Sequence, residues 1–142
     1  MPISFTTKSN GGLERLISDL ETRSTQALNP IGEETKREII SRTRAGRNVD
    51  GAGFESYSER YARRKGTSAN QVNLQLTGDM LNSIISRVQQ NELIISIQGS
   101  FARSKASWHQ FGAGNNKVRR FFGLSDTQKR KIFQDFTRFL KR

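Results

Sequence analysis

The chain has 142 residues, no cysteine, 24 Lys+Arg against 13 Asp+Glu and a formal charge of +11. That length suits one domain, residues 1–142, whose folding buries roughly two-thirds of the surface its unfolded chain exposes. The lack of cysteine excludes a disulfide framework, a thiolate zinc site and a cysteine nucleophile, and the longest apolar run, Leu93-Ile94-Ile95, falls far short of the about 20 residues that a membrane span needs.

The N-terminus Met1-Pro2-Ile3-Ser4-Phe5 has neither the basic nor the apolar region of a signal peptide, so synthesis and function in the cytoplasm are expected. Ile3-Ser4-Phe5-Thr6 alternates as a short strand would, and Ser9-Asn10-Gly11-Gly12 breaks it. Leu13, Leu16, Ile17, Leu20, Ala27 and Leu28 then recur at spacings of three, four and seven, which predicts an amphipathic helix. Asn29-Pro30 reads as a cap followed by proline at the first helical position. It starts a second helix, or a reset of the first, through Ile31, Ile39 and Ile40 to about Arg44. Acidic Glu33, Glu34 and Glu38 near its start and Arg42 and Arg44 near its end suit the helix dipole.

From Ala45 to Asn73 the periodicity disappears, and a long loop is expected with one short helix near Ser58 to Lys65. Thr77-Gly78-Asp79-Met80-Leu81 resembles a helix start capped by Thr77. Residues 84–88 and 92–98 read as two strands of an antiparallel hairpin around Gln89-Gln90-Asn91, with Leu93, Ile95 and Ile97 on one face and Ile94 on the other. Residues 100–123 look irregular again. Ser125-Asp126-Thr127-Gln128 matches a capping box that opens a last helix, whose apolar stripe is Ile132, Phe133, Phe136, Phe139 and Leu140.

The charge is uneven. Residues 1–70 carry 12 basic and 9 acidic side chains, residues 71–142 carry 12 and 4. A basic surplus of that kind favours a polyanion or an acidic protein surface and equally serves as a solvated face. Catalytic patterns are weak. Gly51-Ala52-Gly53 and Gly112-Ala113-Gly114 lack the third glycine or the Gly-Lys-Ser/Thr of a phosphate loop. His109 is the single histidine, which removes two-histidine mechanisms and His-rich metal sites, and the acidic pairs are explained by helix starts and turns. Neither an enzyme nor a cofactor is expected. Nucleic-acid contact is better supported, because Arg103, Lys105, Lys117, Arg119 and Arg120 interleave with Phe101, Trp108, Phe111, Phe121 and Phe122. The same aromatics would also serve as core anchors. With the cluster Arg63-Arg64-Lys65, these five cations are the candidate contacts for nucleic acid or a partner protein.

One ordered series of motifs has a familiar form. Asp50-Gly51 with Phe54 comes first, then Tyr61 and Lys65, Leu76-Thr77-Gly78-Asp79-Met80-Leu81 and Ser83-Ile84. His109-Gln110-Phe111-Gly112 and Arg119-Arg120-Phe121-Phe122-Gly123-Leu124-Ser125 follow. The series, over roughly residues 29–125, resembles the tailed-phage virion morphogenesis or tail completion family, which includes the Mu G protein. The family tends to have Pro-Asp-Gly and a Trp where this chain has Val49-Asp50-Gly51 and Phe54, and Arg-Pro-Phe where it has Arg119-Arg120-Phe121.

The resemblance implies a small α+β structural protein of the virion that assembles as a ring, six copies if it follows the symmetry of phage tails, at the neck or head-proximal tail end. Its partners would be neighbouring neck and tail proteins, with non-specific contact to packaged DNA. The expected layout packs N-terminal helices and a C-terminal helix on a small antiparallel sheet of residues 3–7, 84–88 and 92–98. Loops 45–73 and 100–123 would supply the contact surfaces. The competing expectation is a small basic, non-specific DNA-binding protein, and a third is a nuclease dependent on His109.

Overall fold

The computed structural model describes residues 11–75 and 78–142, so the expected strand near residues 3–7 and the Thr77 cap lie outside the described residues. Helix α1 spans Gly12–Arg44, 33 residues and about 50 Å, where a second helix, or a reset of the first, was expected to start at Asn29-Pro30. Pro30 removes one hydrogen bond, to the carbonyl of Gln26. Both residues lie on the exposed side, while Ala27, Ile31, Gly32, Thr35, Ile39 and Thr43 form one buried stripe that runs straight past the proline. Burial of that stripe outweighs one lost backbone bond. The buried hydroxyls of Thr35 and Thr43 donate to the carbonyls of Ile31 and Ile39, so neither is left unsatisfied.

Helix α1 ends in a Schellman motif: the Gly46 N–H donates to the Thr43 carbonyl and the Arg47 N–H to that of Arg42. Gly46 has φ +77°, and a Cβ there would meet the backbone oxygen of Val72 at 2.8 Å. Gly46→Ala combines left-handed strain with a clash against main chain, and an expected cost of about 2 kcal/mol is checked by the urea midpoint of the variant.

Helix α2, Glu59–Lys65, is the short helix expected near Ser58 to Lys65, and the Ser58 hydroxyl caps it by accepting from the Tyr61 N–H. A four-residue helix α3, Asp79–Asn82, leads into strands β1, Ile84–Gln89, and β2, Glu92–Ile97. They pair antiparallel from Ile84↔Ile97 to Gln89↔Glu92. The turn narrows to Gln90 and Asn91, both with positive φ, as a two-residue hairpin loop of the favoured twist demands. The hairpin lies along α1 where Gly32 faces Ser86 and Leu93, and no Cβ would fit there without displacing those side chains. The two strands make the only sheet among the described residues.

Residues 100–123 are not the irregular loop expected. Ser100–Phe111 form helix α4, which turns the small face Ala102 and Ala106 inward. Two alanines carry little hydrophobic signal, and the large apolar groups Phe101, Trp108 and Phe111 lie outward, so the helical period was hidden. Helix α5, Asp126–Leu140, opens with the expected capping box of Ser125 and Gln128. It runs antiparallel to α1, tied by Gln128 and Lys131 to Glu38, by Lys131 to Glu34 and by Arg23 to the Leu140 carbonyl. Phe133 leaves the expected stripe and is 70% exposed.

The core joins Ile39 of α1, Tyr57, Ala62, Val72 and Leu74 of the 45–74 region, Met80 and Leu81 of α3, Ile84, Ala106 and Phe121. The long segment read as a contact loop is therefore partly core: it threads Tyr57 and Val72 between the helices. The architecture is α+β.

Candidate functional site

A cleft of about 460 Å3 opens between the 56–64 segment, α3, α4 and residues 115–119. Its apolar wall is aromatic. Ser58 starts α2 one residue after Tyr57, so Tyr57 and Tyr61 fall at i and i+4, with ring centroids 4.8 Å apart. Trp108 and His109, in the last turn of α4, face them across the opening.

The eight basic residues singled out from sequence divide into three groups. Arg64, Lys105 and Lys117 line the cleft, Arg64 and Lys117 exposed and Lys105 half-buried. Arg64 sits 5.2 Å from the Tyr61 ring, Lys105 4.7 Å from the Phe101 ring, and Lys117 bridges to Glu55 at 3.3 Å. Lys65 and Arg119 are framework. Arg119 is 5% exposed, and its guanidinium donates to the carbonyls of Glu55 and Ser56 at 2.9 Å each while lying 5.1 Å from the Tyr57 ring centroid. Its position as a surface contact is thereby corrected: two main-chain acceptors and an aromatic face hold it inside. Lys65 donates to the Tyr57 hydroxyl and to Asn73, and the Leu74 N–H donates to the same hydroxyl. The remaining three, Arg63, Arg103 and Arg120, are exposed and lie away from the cleft.

His109 stands at the back of this cationic cluster. Its Nδ1 is buried with no hydrogen-bond partner among the described residues. Burial, then the charges of Arg119, Lys105 and Lys65, push its pKa down to about 4. The imidazole is neutral at pH 7. Because the folded value lies below the ordinary 6.5, the unfolded chain takes up this proton first, and stability held above pH 6.5 is lost as pH falls toward 4. His109→Gln is expected to flatten that part of the pH dependence, read as a smaller difference in urea midpoint between neutral pH and about pH 5. Burial also raises the Tyr61 phenol and lowers the Arg119 guanidinium from their ordinary values.

Neutral His109, two tyrosines and a rim of cations can hold an anionic group against an aromatic wall. Among the described residues no group of three or more His, Asp or Glu could hold a metal ion, and no helix is long and apolar enough to cross a membrane. Sequence reasoning passed over Tyr57 and Tyr61 as site residues. Their signal was present in the four-residue spacing that straddles the Ser58 cap.

The motif series noted in the sequence turns out to be a set of tertiary ties. The Asn48 side chain accepts from the N–H groups of Asp50 and Ala52, shaping the Asp50-Gly51 turn, and the Val49 N–H donates to the Arg120 carbonyl. The Gln110 amide pairs with both backbone groups of Phe122 at 3.1 Å. Arg42 donates to the carbonyls of Phe121 and Gly123. The model of the phage virion morphogenesis family matches residues 6–141, which include every element from α1 to α5. The chain belongs to the phage virion morphogenesis family. No curated protein and no solved structure matches it. Within this family chain, the match extends past residues 29–125, where the resemblance lay, to the whole of α1 and α5. The helix that carries the fold and the helix docked on it are thus both part of the family unit.

Proposed function

We propose that this virion morphogenesis protein is a structural component of a tailed phage that forms a ring at the neck or head-proximal tail end, where it joins head to tail or completes the tail. It acts by binding neighbours and not by turning over a substrate. Beside the family, one observation carries this reading: large apolar side chains face outward in separate places. Leu13, Leu16, Ile17 and Leu20 on α1 are 47–55% exposed, and Phe101, Phe111 and Phe133 are 66–75% exposed. The four groups on α1, at spacings of three, one and three, lie along one side of the helix, and an exposed apolar stripe of this kind marks contact with another chain. The cleft rim of Arg64, Lys105 and Lys117 suits an acidic neighbour or the phosphates of packaged DNA.

The test is a phage lacking this protein, complemented or not by the wild-type chain, with particles viewed by electron microscopy. Free heads and free tails that become joined virions on complementation support the proposal. Intact, infectious virions without the protein overturn it.

The DNA-binding reading draws on the same rim, with half-exposed Trp108 beside it. It requires tight duplex binding that weakens steeply with salt and drops when Arg64, Lys105 and Lys117 are replaced together by alanine. Binding no stronger than that of an unrelated cationic protein dismisses it.

A further inference from the structure

The first turns of α1 stand clear of the body of the protein. Residues 13–22 are exposed on every face, yet they carry the stripe Leu13, Leu16, Ile17 and Leu20. On a helical wheel Glu14 and Glu21, seven residues apart, line one margin of this stripe, and Asp19 lies on the other. A solvated helix gains nothing from four large aliphatic groups on one side.

An apolar groove with margins of the opposite sign lies elsewhere on the same chain. It runs between the open end of the β1–β2 hairpin and α4, with a volume of about 640 Å3. Ile85 and Phe111 supply apolar surface at its mouth, Ile95, Ile97 and Phe122 line it from the side that packs against the core, and Arg87 and Arg103 stand at its margins. Both arginines are exposed and form no ion pair among the described residues.

The helix cannot fill the groove of its own molecule. Thr25 meets Asn91 at the hairpin turn and Gly32 faces Ser86 and Leu93 midway along the strands, so toward its N-terminus α1 runs out past the turn. Leu13 lies about 18 Å before Thr25 along the helix. The groove is at the opposite end of the hairpin, beside Gly99 and Arg103. A rigid helix leaving at the turn points away from it.

We infer that the N-terminal turns of α1 dock into the groove between hairpin and α4 of a second copy of this chain, Leu13 to Leu20 against Ile85 and Phe111, with the acidic helix margin against Arg87 and Arg103. The inference rests on the ring reading above and supplies the contact that builds it. Stripe and groove are different surfaces, so the contact is head to tail: each copy gives a helix to one neighbour and takes one from the other. Such contacts make a ring when the rotation closes.

The experiment measures molar mass by light scattering over a range of concentrations for the full-length chain, Leu16→Asp and Arg103→Glu. Both substitutions lie on exposed surface, and unchanged thermal midpoints and circular dichroism confirm that each variant folds. The expected results are a multimeric wild type and a concentration for assembly raised at least about 100-fold in each variant. Mixing the two variants should restore a single contact, Arg103→Glu giving its helix to the intact groove of Leu16→Asp, and so yield a 1:1 dimer and nothing larger. Variants that assemble like a multimeric wild type overturn the contact and leave the ring reading standing. A wild type that stays monomeric at every concentration overturns both. Variants that assemble normally but no longer join heads to tails show that the stripe seats a different virion protein, which overturns the copy-to-copy contact.

Discussion

Phe121→Ala is expected to cost about 3–5 kcal/mol, the largest loss from any single truncation among the described residues. Phe121 is 0% exposed and is the largest fully buried side chain among the described residues. It touches the cluster that unites Ile39 of α1, the 57–74 region, α3 and α4, so the cavity it leaves cannot be closed by moving one element. Its backbone is also pinned, since Arg42 donates to its carbonyl at 2.7 Å, which limits collapse around the void. A domain of ordinary stability, about 5–15 kcal/mol, would be left marginal. Urea unfolding with an unchanged slope is the check, with Phe133→Ala as control: at 70% exposed, Phe133 should change stability by less than about 0.5 kcal/mol. Equal effects at the two positions would contradict this core.

Arg119→Ala should destabilise by about 3 kcal/mol, because it strips the donor from the two main-chain acceptors of Glu55 and Ser56 and removes the cation beside Tyr57. Arg119→Lys should lie between alanine and wild type, since one ammonium cannot reproduce the planar fork that serves both carbonyls. These losses should depend little on salt, because the partners are neutral. Arg120→Ala, exposed and next in sequence, should leave stability within about 0.5 kcal/mol of wild type. An arginine acting as a surface phosphate contact would give the reverse pattern: unchanged stability, and binding that responds steeply to salt.

Adjacent residues thus divide between opposite roles, and no local rule separates them. Arg119 and Arg120 are the same residue type in the same basic run, yet the first is 5% exposed and the second lies open to water. The difference comes from residues 55 and 56, more than sixty positions away in sequence. The same holds for the apolar groups. Leu13, Leu16, Ile17 and Leu20 have the periodicity of a core stripe, but α1 outruns the rest of the fold and leaves them uncovered. On α4 the logic inverts, with alanines inward and aromatics outward, so a period weighted by hydrophobicity points to the wrong face.

What the sequence by itself determined were the features whose causes are local. The short α2, the hairpin of β1 and β2 and the α5 capping box of Ser125 and Gln128 all follow from a few neighbouring residues. The ordered motifs pointed to the virion morphogenesis family, and the match over residues 6–141 shows it. Tertiary structure decided the rest, because those outcomes depend on which distant surface is available. It carried α1 through Pro30 by burying a stripe on both sides of the proline. It drew Tyr57, Val72 and Arg119 inward from segments with no period of their own. It also gathered Arg64, Lys105 and Lys117 around one cleft although they are spread over more than fifty positions of chain. Hydrophobic burial has no direction along the sequence, so the choice between core, framework and open surface is made only when the elements meet.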